Sequence, residues 1–354
     1  MRLLGLSLGL LSITLLLFVL ADCGGASTSS HGVPPPPPPT VVSAPITCPT
    51  SSLSPPNTAC YSLAVTCENT ATYSVYLKSM PPSGTPVGAA SLIEGGTSID
   101  LYEQFAYGST TVQNLLDAGF LVVEISFGHP FTDSEGGWQA NAAGLGVRAA
   151  SCRYANVTAW IKTNLAASIP LCATGSSAGS AQIAEGLAHY GLGNQLAFAE
   201  LTSGPPFTRT DEACIPSLAG NTTQYCAGNP AGESVGLKDA EDYIDPAYPG
   251  PWCSESIQTG DKSHQSTFLN DSITSPDGVL NYPSTPVWFL YGGLDTSPAI
   301  NQGELYRQAI TSSTNRGCVA DAPHNVPDSL DGAQQIAADI ILNCKAPGAA
   351  HSRR

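Results

Sequence analysis

Charged residues are scarce in this chain, and basic residues are the scarcest. Only 12% of the 354 residues are charged, and 13 Lys and Arg stand against 28 Asp and Glu, which gives a formal net charge of -15 at pH 7. Such a surface repels phosphate backbones and anionic membrane faces, so nucleic acid is not an expected partner. Hydrophobic residues reach 42%. The chain can therefore fill the core of one large domain or two small ones.

Motifs that hold metals, phosphates or cofactors are also missing. No two cysteines have the C-x-x-C spacing and no histidine cluster accompanies them, so a zinc site is not expected. There is no glycine-rich phosphate-binding motif and no long aromatic stripe. We therefore expect neither a metal nor another cofactor.

Cysteines, by contrast, are numerous. Ten follow Cys23, namely Cys48, Cys60, Cys67, Cys152, Cys172, Cys214, Cys226, Cys253, Cys318 and Cys344. An even number without metal-binding spacing favours disulfides in an oxidising compartment, with buried free thiols as the alternative. We expect Cys318 to pair with Cys344, and Cys152 with Cys172, because each pair brackets a predicted strand and its helix.

The N-terminus carries an almost purely apolar run at 3–21 after a basic residue, which predicts a secretory signal peptide over 1–22. A run of about 19 apolar residues could instead be retained as a membrane-spanning helix. The segment L-A-D-C-G at 20–24 resembles a bacterial lipoprotein signal, although Asp22 stands where that signal has a small residue. The resemblance makes Cys23 a candidate lipid attachment site, and hence a membrane tether.

Composition then divides the rest of the chain. Residues 23–47 are rich in Ser and Pro and include the proline run 34–39, which favours extended polyproline conformation and predicts a tether. We expect one folded domain over 48–346 and a short tail at 347–354.

From residue 87 onward, short apolar runs alternate with segments of helical spacing. The predicted strands are 87–93, 120–127, 170–174, 196–202, 286–291 and 317–320. The predicted helices are 111–118, 147–165, 181–190, 304–310 and 332–342. This alternation predicts an α/β fold with a mostly parallel sheet covered by helices on both faces. About 80 residues at 205–283 stand where a crossover needs ~30. They hold three cysteines and predict a disulfide-rich cap insertion over the catalytic face, with a surface excursion that does not touch substrate as the alternative.

A G-x-S-x-G sequence lies between the third predicted strand and its helix. It comprises Gly175, Ser176, Ser177, Ala178 and Gly179. In a sharp turn from strand to helix, the central serine is held out at the carboxyl end of the sheet. The sequence therefore identifies Ser177 as a candidate nucleophile.

On these residues the chain resembles the α/β-hydrolase superfamily, over roughly 87–344. The family order of serine, acid and histidine implies Asp295, after the strand 286–291, and His324, after the last strand, as the other catalytic residues. His129 and His264 are the alternative bases, and Asp321 is the alternative acid.

The resemblance also implies an oxyanion hole made by the backbone N–H of Ala178 and one from Gly96 or a neighbour. Glu94 occupies the place of the histidine in the His-Gly-Gly-Gly esterases. It either braces its loop or binds a substrate amine, as a peptidase would require.

The activity implied by the resemblance is that of an exported serine hydrolase that cleaves carboxylic esters, small or polymeric, through an acyl-enzyme. A serine peptidase and a depolymerase of extracellular polyesters or acylated polysaccharides are the alternatives within the superfamily. A catalytically inactive binding protein on a hydrolase scaffold is the alternative from another class.

Overall fold

A computed structural model gives the fold of this protein. It describes residues 41–42, 45–50, 53–128, 131, 137–140, 142, 144–220, 225–226 and 241–344. The predicted signal peptide, Cys23, most of the predicted tether and the tail lie outside these residues. None of the helices in the described ranges is long and apolar enough to cross a membrane.

A single mixed sheet organises the described part of the chain. Its strands are β1 (Val41–Val42), β2 (Ala59–Val65), β3 (Tyr73–Met80), β4 (Gly88–Ile93), β5 (Phe120–Ser126), β6 (Leu171–Ser176), β7 (Phe198–Thr202), β8 (Val287–Gly292) and β9 (Thr314–Val319). They are ordered β1-β2-β3-β5-β4-β6-β7-β8-β9. The pairings from β1 to β5 in this order are antiparallel and the pairings from β5 to β9 are parallel.

Helices occupy most of the connections. They are α1 (Gly108–Asp117), α2 (Val147–Asn164), α3 (Ala178–His189), α4 (Thr210–Cys214), α5 (Glu241–Ile244), α6 (Trp252–Thr259), α7 (Gln265–Asn270), α8 (Ala299–Ala309) and α9 (Leu330–Asn343). Short 3-10 turns are found at Tyr102–Gln104, Leu192–Asn194, Asp245–Ala247 and Val326–Asp328.

Helices cover both faces of the sheet. Since successive side chains of a strand point to opposite faces, each buried strand contributes to two cores. In β5, for example, Val123 packs into a core with α2, α3 and α8, whereas Val122 packs into a second core with α1 and α9. Every residue of β4, β5, β6 and β7 is buried. Burial on two sides therefore explains why these strands are mostly apolar in sequence.

The six predicted strands correspond to β4 through β9, and the predicted mostly parallel sheet is confirmed. The antiparallel strands β2 and β3 were not predicted. In β3 the apolar pattern is interrupted by Lys78, which is fully buried with its ammonium 2.7 Å from the Glu103 carboxylate. The sheet also extends to β1, within the segment 23–47 that the composition predicts as a tether.

The predicted cap insertion is present on the α2 side of the sheet. Asp271, just after α7, accepts hydrogen bonds from the backbone N–H groups of Val147 and Arg148, at 2.7 and 3.2 Å, and from the Tyr248 hydroxyl. Its carboxyl group therefore satisfies donors at the start of α2 and joins the cap to the core. The insertion also contributes Phe207 to the main core.

All ten cysteines in the described residues are paired, so the prediction of disulfides is confirmed. The pairs are Cys48–Cys60, Cys67–Cys152, Cys172–Cys344, Cys214–Cys253 and Cys226–Cys318. The cap holds one disulfide internally, Cys214–Cys253, and is joined to β9 by Cys226–Cys318.

Both predicted pairings were wrong, and the sheet explains why. Cys152 lies on α2, whereas Cys172 points from β6 to the opposite face, into the core that contains α9. The sheet therefore separates the two residues. Cys318 lies on the edge strand β9, three strands from β6, and Cys344 at the end of α9 reaches β6 instead.

The disulfides differ widely in the length of chain that they close, and their contributions to stability should differ accordingly. Cys172–Cys344 closes 172 residues and Cys48–Cys60 closes 12. Loop-closure entropy predicts that the double variant Cys172→Ala/Cys344→Ala loses about 5 kcal/mol of unfolding free energy, against about 3 kcal/mol for Cys48→Ala/Cys60→Ala. Guanidinium denaturation of the two variants measures the difference. Equal losses would contradict this ranking.

Candidate active site

Ser177 lies in the sharp turn between β6 and α3. Its φ of 50° and ψ of -117° lie in a region that side-chain-bearing residues rarely adopt. The turn is fixed on both sides, because the Ser177 N–H donates to the Thr202 carbonyl at 2.9 Å and its carbonyl accepts from the Ser180 hydroxyl. The predicted nucleophile is thus held at the N-terminus of a buried 12-residue helix, where negative charge is favoured.

The two glycines of the motif permit this turn. A Cβ at Gly179 would lie 2.4 Å from the Glu94 carbonyl oxygen, and a Cβ at Gly175 would lie 2.7 Å from the backbone of Gly179 and 2.8 Å from Ile93. Side chains at either position would push the turn away from the end of β4. The close approach of β4 therefore requires glycine at both positions.

Asp295 and His324 are hydrogen-bonded to each other. The Nδ1 atom of His324 lies 2.9 Å from Oδ2 of Asp295. Asp295 is 2% exposed, whereas the His324 side chain is about a third exposed, at 36%. The buried carboxylate can therefore orient an imidazole that remains accessible from solvent.

Ser297 is a second partner of the imidazole that sequence reasoning missed. Its hydroxyl lies 3.0 Å from Nδ1 of His324, and its backbone N–H donates to Oδ1 of Asp295 at 2.8 Å. An Asp whose side chain accepts from the N–H two residues later forms a common turn. The sequence Asp295-Thr296-Ser297 is compatible with such a turn, which could have pointed to Ser297.

A cavity of about 620 Å³ brings the predicted residues together. Ser177, His324, Asp295, Ala178 and Gly96 all line it. The cap contributes Pro206, Phe207 and Tyr243 to the same walls, and the remaining lining residues are Glu94, Gly95, Leu294, Thr296, Ser297, Pro298, Ala299 and Asn325. The insertion is therefore not a surface excursion remote from the site.

Gly96 lies on the turn that follows β4, and Ala178 directly follows Ser177 at the start of α3. Gly96 has a φ of 54°, and its carbonyl accepts a hydrogen bond from the Trp138 indole at 3.0 Å. A Cβ on the neighbouring Gly95 would lie 3.2 Å from Cβ of Ser177. The turn after β4 is thus in contact with the turn that carries Ser177.

Glu94 projects from the same turn and lines the cavity. Burial raises the pKa of its carboxyl group to about 8, with further contributions from the carboxylates of Asp100 and Asp328. The carboxyl group also accepts a hydrogen bond from the backbone of Asp100. Near neutral pH, Glu94 is therefore mostly an uncharged acid.

Two of the three alternative residues, Asp321 and His264, do not line the cavity. Asp321 is exposed and is absent from the cavity walls. His264 stacks on Trp252 within the cap, with ring centroids 3.9 Å apart. His129 lies outside the described residues. In those residues, no group of three or more His, Cys, Asp or Glu side chains is placed to hold a metal ion.

Gly292, at the end of β8, controls the position of the loop that bears His324. A Cβ there would lie 2.0 Å from the carbonyl oxygen of Pro323. We expect Gly292→Ala to lose roughly 1–3 kcal/mol of unfolding free energy, as overpacked sites do. Gly84→Ala is the control, because nothing lies within 4 Å of a Cβ there. Urea denaturation compares the two, and an unchanged midpoint for Gly292→Ala would refute the packing argument.

No protein-family model matches the chain, and no curated protein matches it in sequence. Solved structures match it in fold. Acetyl xylan esterase 1 from Thermoanaerobacterium sp. JW/SL YS485 superposes with a TM-score of 0.51 at 14% identity, over 87% of this chain and 89% of that chain. The esterase Est22 superposes with a TM-score of 0.50 at 14% identity, over 81% of each chain.

Identities this low carry information about the fold alone. The strand order, the helices on both faces and these structural neighbours agree. This chain has the α/β-hydrolase fold that the sequence predicts.

Proposed function

We propose that this protein is an exported serine hydrolase that cleaves carboxylic esters, with Ser177 as nucleophile, His324 as base and Asp295 as the acid that orients the base. One observation carries the proposal. The hydrogen-bonded Asp295 and His324 open onto the same cavity as Ser177, a serine held in a strained turn at a helix N-terminus. A serine that shares a cavity with an oriented imidazole supplies the groups that acyl transfer requires.

The reaction follows from this arrangement. As the Ser177 oxygen attacks the ester carbonyl carbon, His324 takes its proton, and Asp295 stabilises the imidazolium that forms. The backbone N–H of Ala178 and that of Gly96 donate to the carbonyl oxygen as it becomes negative. When the C–O bond breaks, His324 returns the proton to the leaving alcohol. Water then attacks the acyl-enzyme by the same route and releases the carboxylic acid and Ser177.

Two further observations support an ester substrate. Two structural neighbours, with TM-scores of 0.51 and 0.50, are named as esterases. The cavity walls include Phe207, Tyr243 and Leu294, whose apolar surfaces suit an acyl chain. The substrate is then a small ester or an accessible part of a polymeric one.

Export is supported by the five disulfides, which persist in oxidising compartments. We propose that residues 1–22 are removed as a signal peptide and that Cys23 is a site of lipid attachment. In that case residues 23–47 would tether the domain to a membrane. Without the lipid the protein would be secreted.

A serine peptidase is the second candidate, because Glu94 places a carboxyl group on the cavity wall where a substrate amine could bind. Chromogenic esters and anilides of the same acyl group separate the two activities. We expect short-chain p-nitrophenyl esters to be cleaved rapidly and the matched p-nitroanilides slowly. A preference for anilides would contradict the ester proposal.

The roles of the three residues are tested by substitution. We expect Ser177→Ala and His324→Ala to lose nearly all ester hydrolysis. Asp295→Asn should lose about 10³- to 10⁴-fold in kcat, because the amide no longer holds the correct tautomer of His324. Asp321→Asn is the matched control and should keep the wild-type rate.

A fluorophosphonate probe distinguishes an enzyme from an inactive scaffold, since labelling requires an activated serine. Wild-type protein should be labelled and Ser177→Ala should not. Full ester hydrolysis by Ser177→Ala would show that the nucleophile is another residue. Failure of the folded wild type to react with esters, anilides and the probe would favour the binding-protein hypothesis.

A further inference from the structure

Glu94 is fixed against the turn that carries Ser177. It directly follows β4, and its carbonyl oxygen is the atom that would lie 2.4 Å from a Cβ at Gly179. A Cβ on the next residue, Gly95, would lie 3.2 Å from Cβ of Ser177. The position of the Glu94 backbone relative to Ser177 is therefore set by close backbone contact.

Glu94 is the acidic residue of the cavity lining that the proposed mechanism does not use. The other acid of the wall, Asp295, is occupied by His324 and by the N–H of Ser297. Among the described residues, no Lys or Arg lines the cavity. The charge that a bound substrate meets beside Ser177 is therefore set largely by the protonation of Glu94.

Burial raises the pKa of Glu94 most, and the carboxylates of Asp100 and Asp328 raise it further. The hydrogen bond from the backbone N–H of Asp100 lowers it by a smaller amount than burial raises it. Asp100 and Asp328 face it from the segments that follow β4 and β9, and both are acids. Tyr243 from the cap and the pair formed by Asp295 and His324 share its cavity. Burial adds to the cost of the charged form. Glu94 consequently changes from a neutral acid to a carboxylate within a range of pH where hydrolases can still be assayed.

We propose that Glu94 selects substrates by charge, favouring an ester with a cationic group near the scissile bond over a neutral one and disfavouring an anionic one, increasingly so as the pH rises. The inference rests on the function proposed above and names the substrate class of the same cavity. An ammonium group gains Coulomb attraction when Glu94 becomes a carboxylate, and a substrate carboxylate is repelled. Below the pKa of about 8, the neutral acid discriminates little between them.

Three p-nitrophenyl esters of similar shape test the proposal. The acyl groups are 4-(trimethylammonio)butanoyl, its uncharged isostere 5,5-dimethylhexanoyl and the anionic glutaryl group. The measured quantity is the ratio of kcat/KM for each charged ester to kcat/KM for the neutral one, from pH 6.5 to 9.5. The ratio cancels the effect of His324 protonation, since the catalytic base serves all three esters alike. Spontaneous hydrolysis is subtracted with Ser177→Ala.

In the wild type, we expect the cationic-to-neutral ratio to rise on the order of tenfold across this range and the anionic-to-neutral ratio to fall. Glu94→Gln stays uncharged at every pH and should give flat ratios. Glu68→Gln, which alters an exposed glutamate away from the cavity, should behave as the wild type. Flat wild-type ratios, or a pH-dependent ratio that survives in Glu94→Gln, would overturn the proposal.

Binding of butyltrimethylammonium to the Ser177→Ala variant, measured by calorimetry at pH 6.5 and 9.5, separates this proposal from the ester hydrolase proposal. Tighter binding at pH 9.5 that Glu94→Gln abolishes would support charge selection even if no ester were cleaved. Ester cleavage with pH-independent binding of the cation would reject charge selection and leave the hydrolase proposal standing.

Discussion

The contact between the end of β4 and the turn from β6 to α3 is the constraint on which the site depends. The backbones approach so closely that a Cβ at Gly179 would lie 2.4 Å from the Glu94 carbonyl oxygen. This contact holds Ser177 in its unusual conformation and brings the loop with Gly96 beside it. Because β4 and β6 are neighbouring parallel strands, their carboxyl ends meet at one edge of the sheet. The same edge receives Asp295 from β8 and His324 from β9.

The sequence was informative where local pattern and tertiary structure agree. A strand buried on both faces favours a mostly apolar run, and the predicted runs that correspond to β4 through β8 have that form. The G-x-S-x-G turn is likewise local, because its glycines are required by contacts within a few residues and with one adjacent strand. The residues now found around the cavity were thus predictable as candidates, although their roles remain proposals.

Contacts between residues that are far apart in the sequence were not predictable in this way. Nothing local indicates that Cys172 points to the α9 face of the sheet or that Cys67 reaches α2, so the cysteine pairs predicted from proximity in sequence were wrong. Strand β3 was not predicted, and its buried Lys78 pairs with Glu103 and Glu124 from elsewhere in the chain. The cap was detected by its length and cysteines, whereas its attachment through Asp271 at the start of α2 needs the fold.

The low content of basic residues also affects the protonation of acids in the interior. With few cations to pair them, buried acids such as Glu185 and Glu200 have pKa values raised well above normal, chiefly by burial, which keeps them neutral. Burial raises the pKa of Glu94 in the same way at the cavity wall. In the proposed mechanism, negative charge develops on an oxygen near Ala178 and Gly96, and a carboxylate nearby would oppose it whereas a neutral acid does not. Among the described residues, no Lys or Arg lines the cavity to offset the charge of an ionised Glu94. The proton of Glu94 therefore removes a negative charge that would otherwise oppose the developing oxyanion.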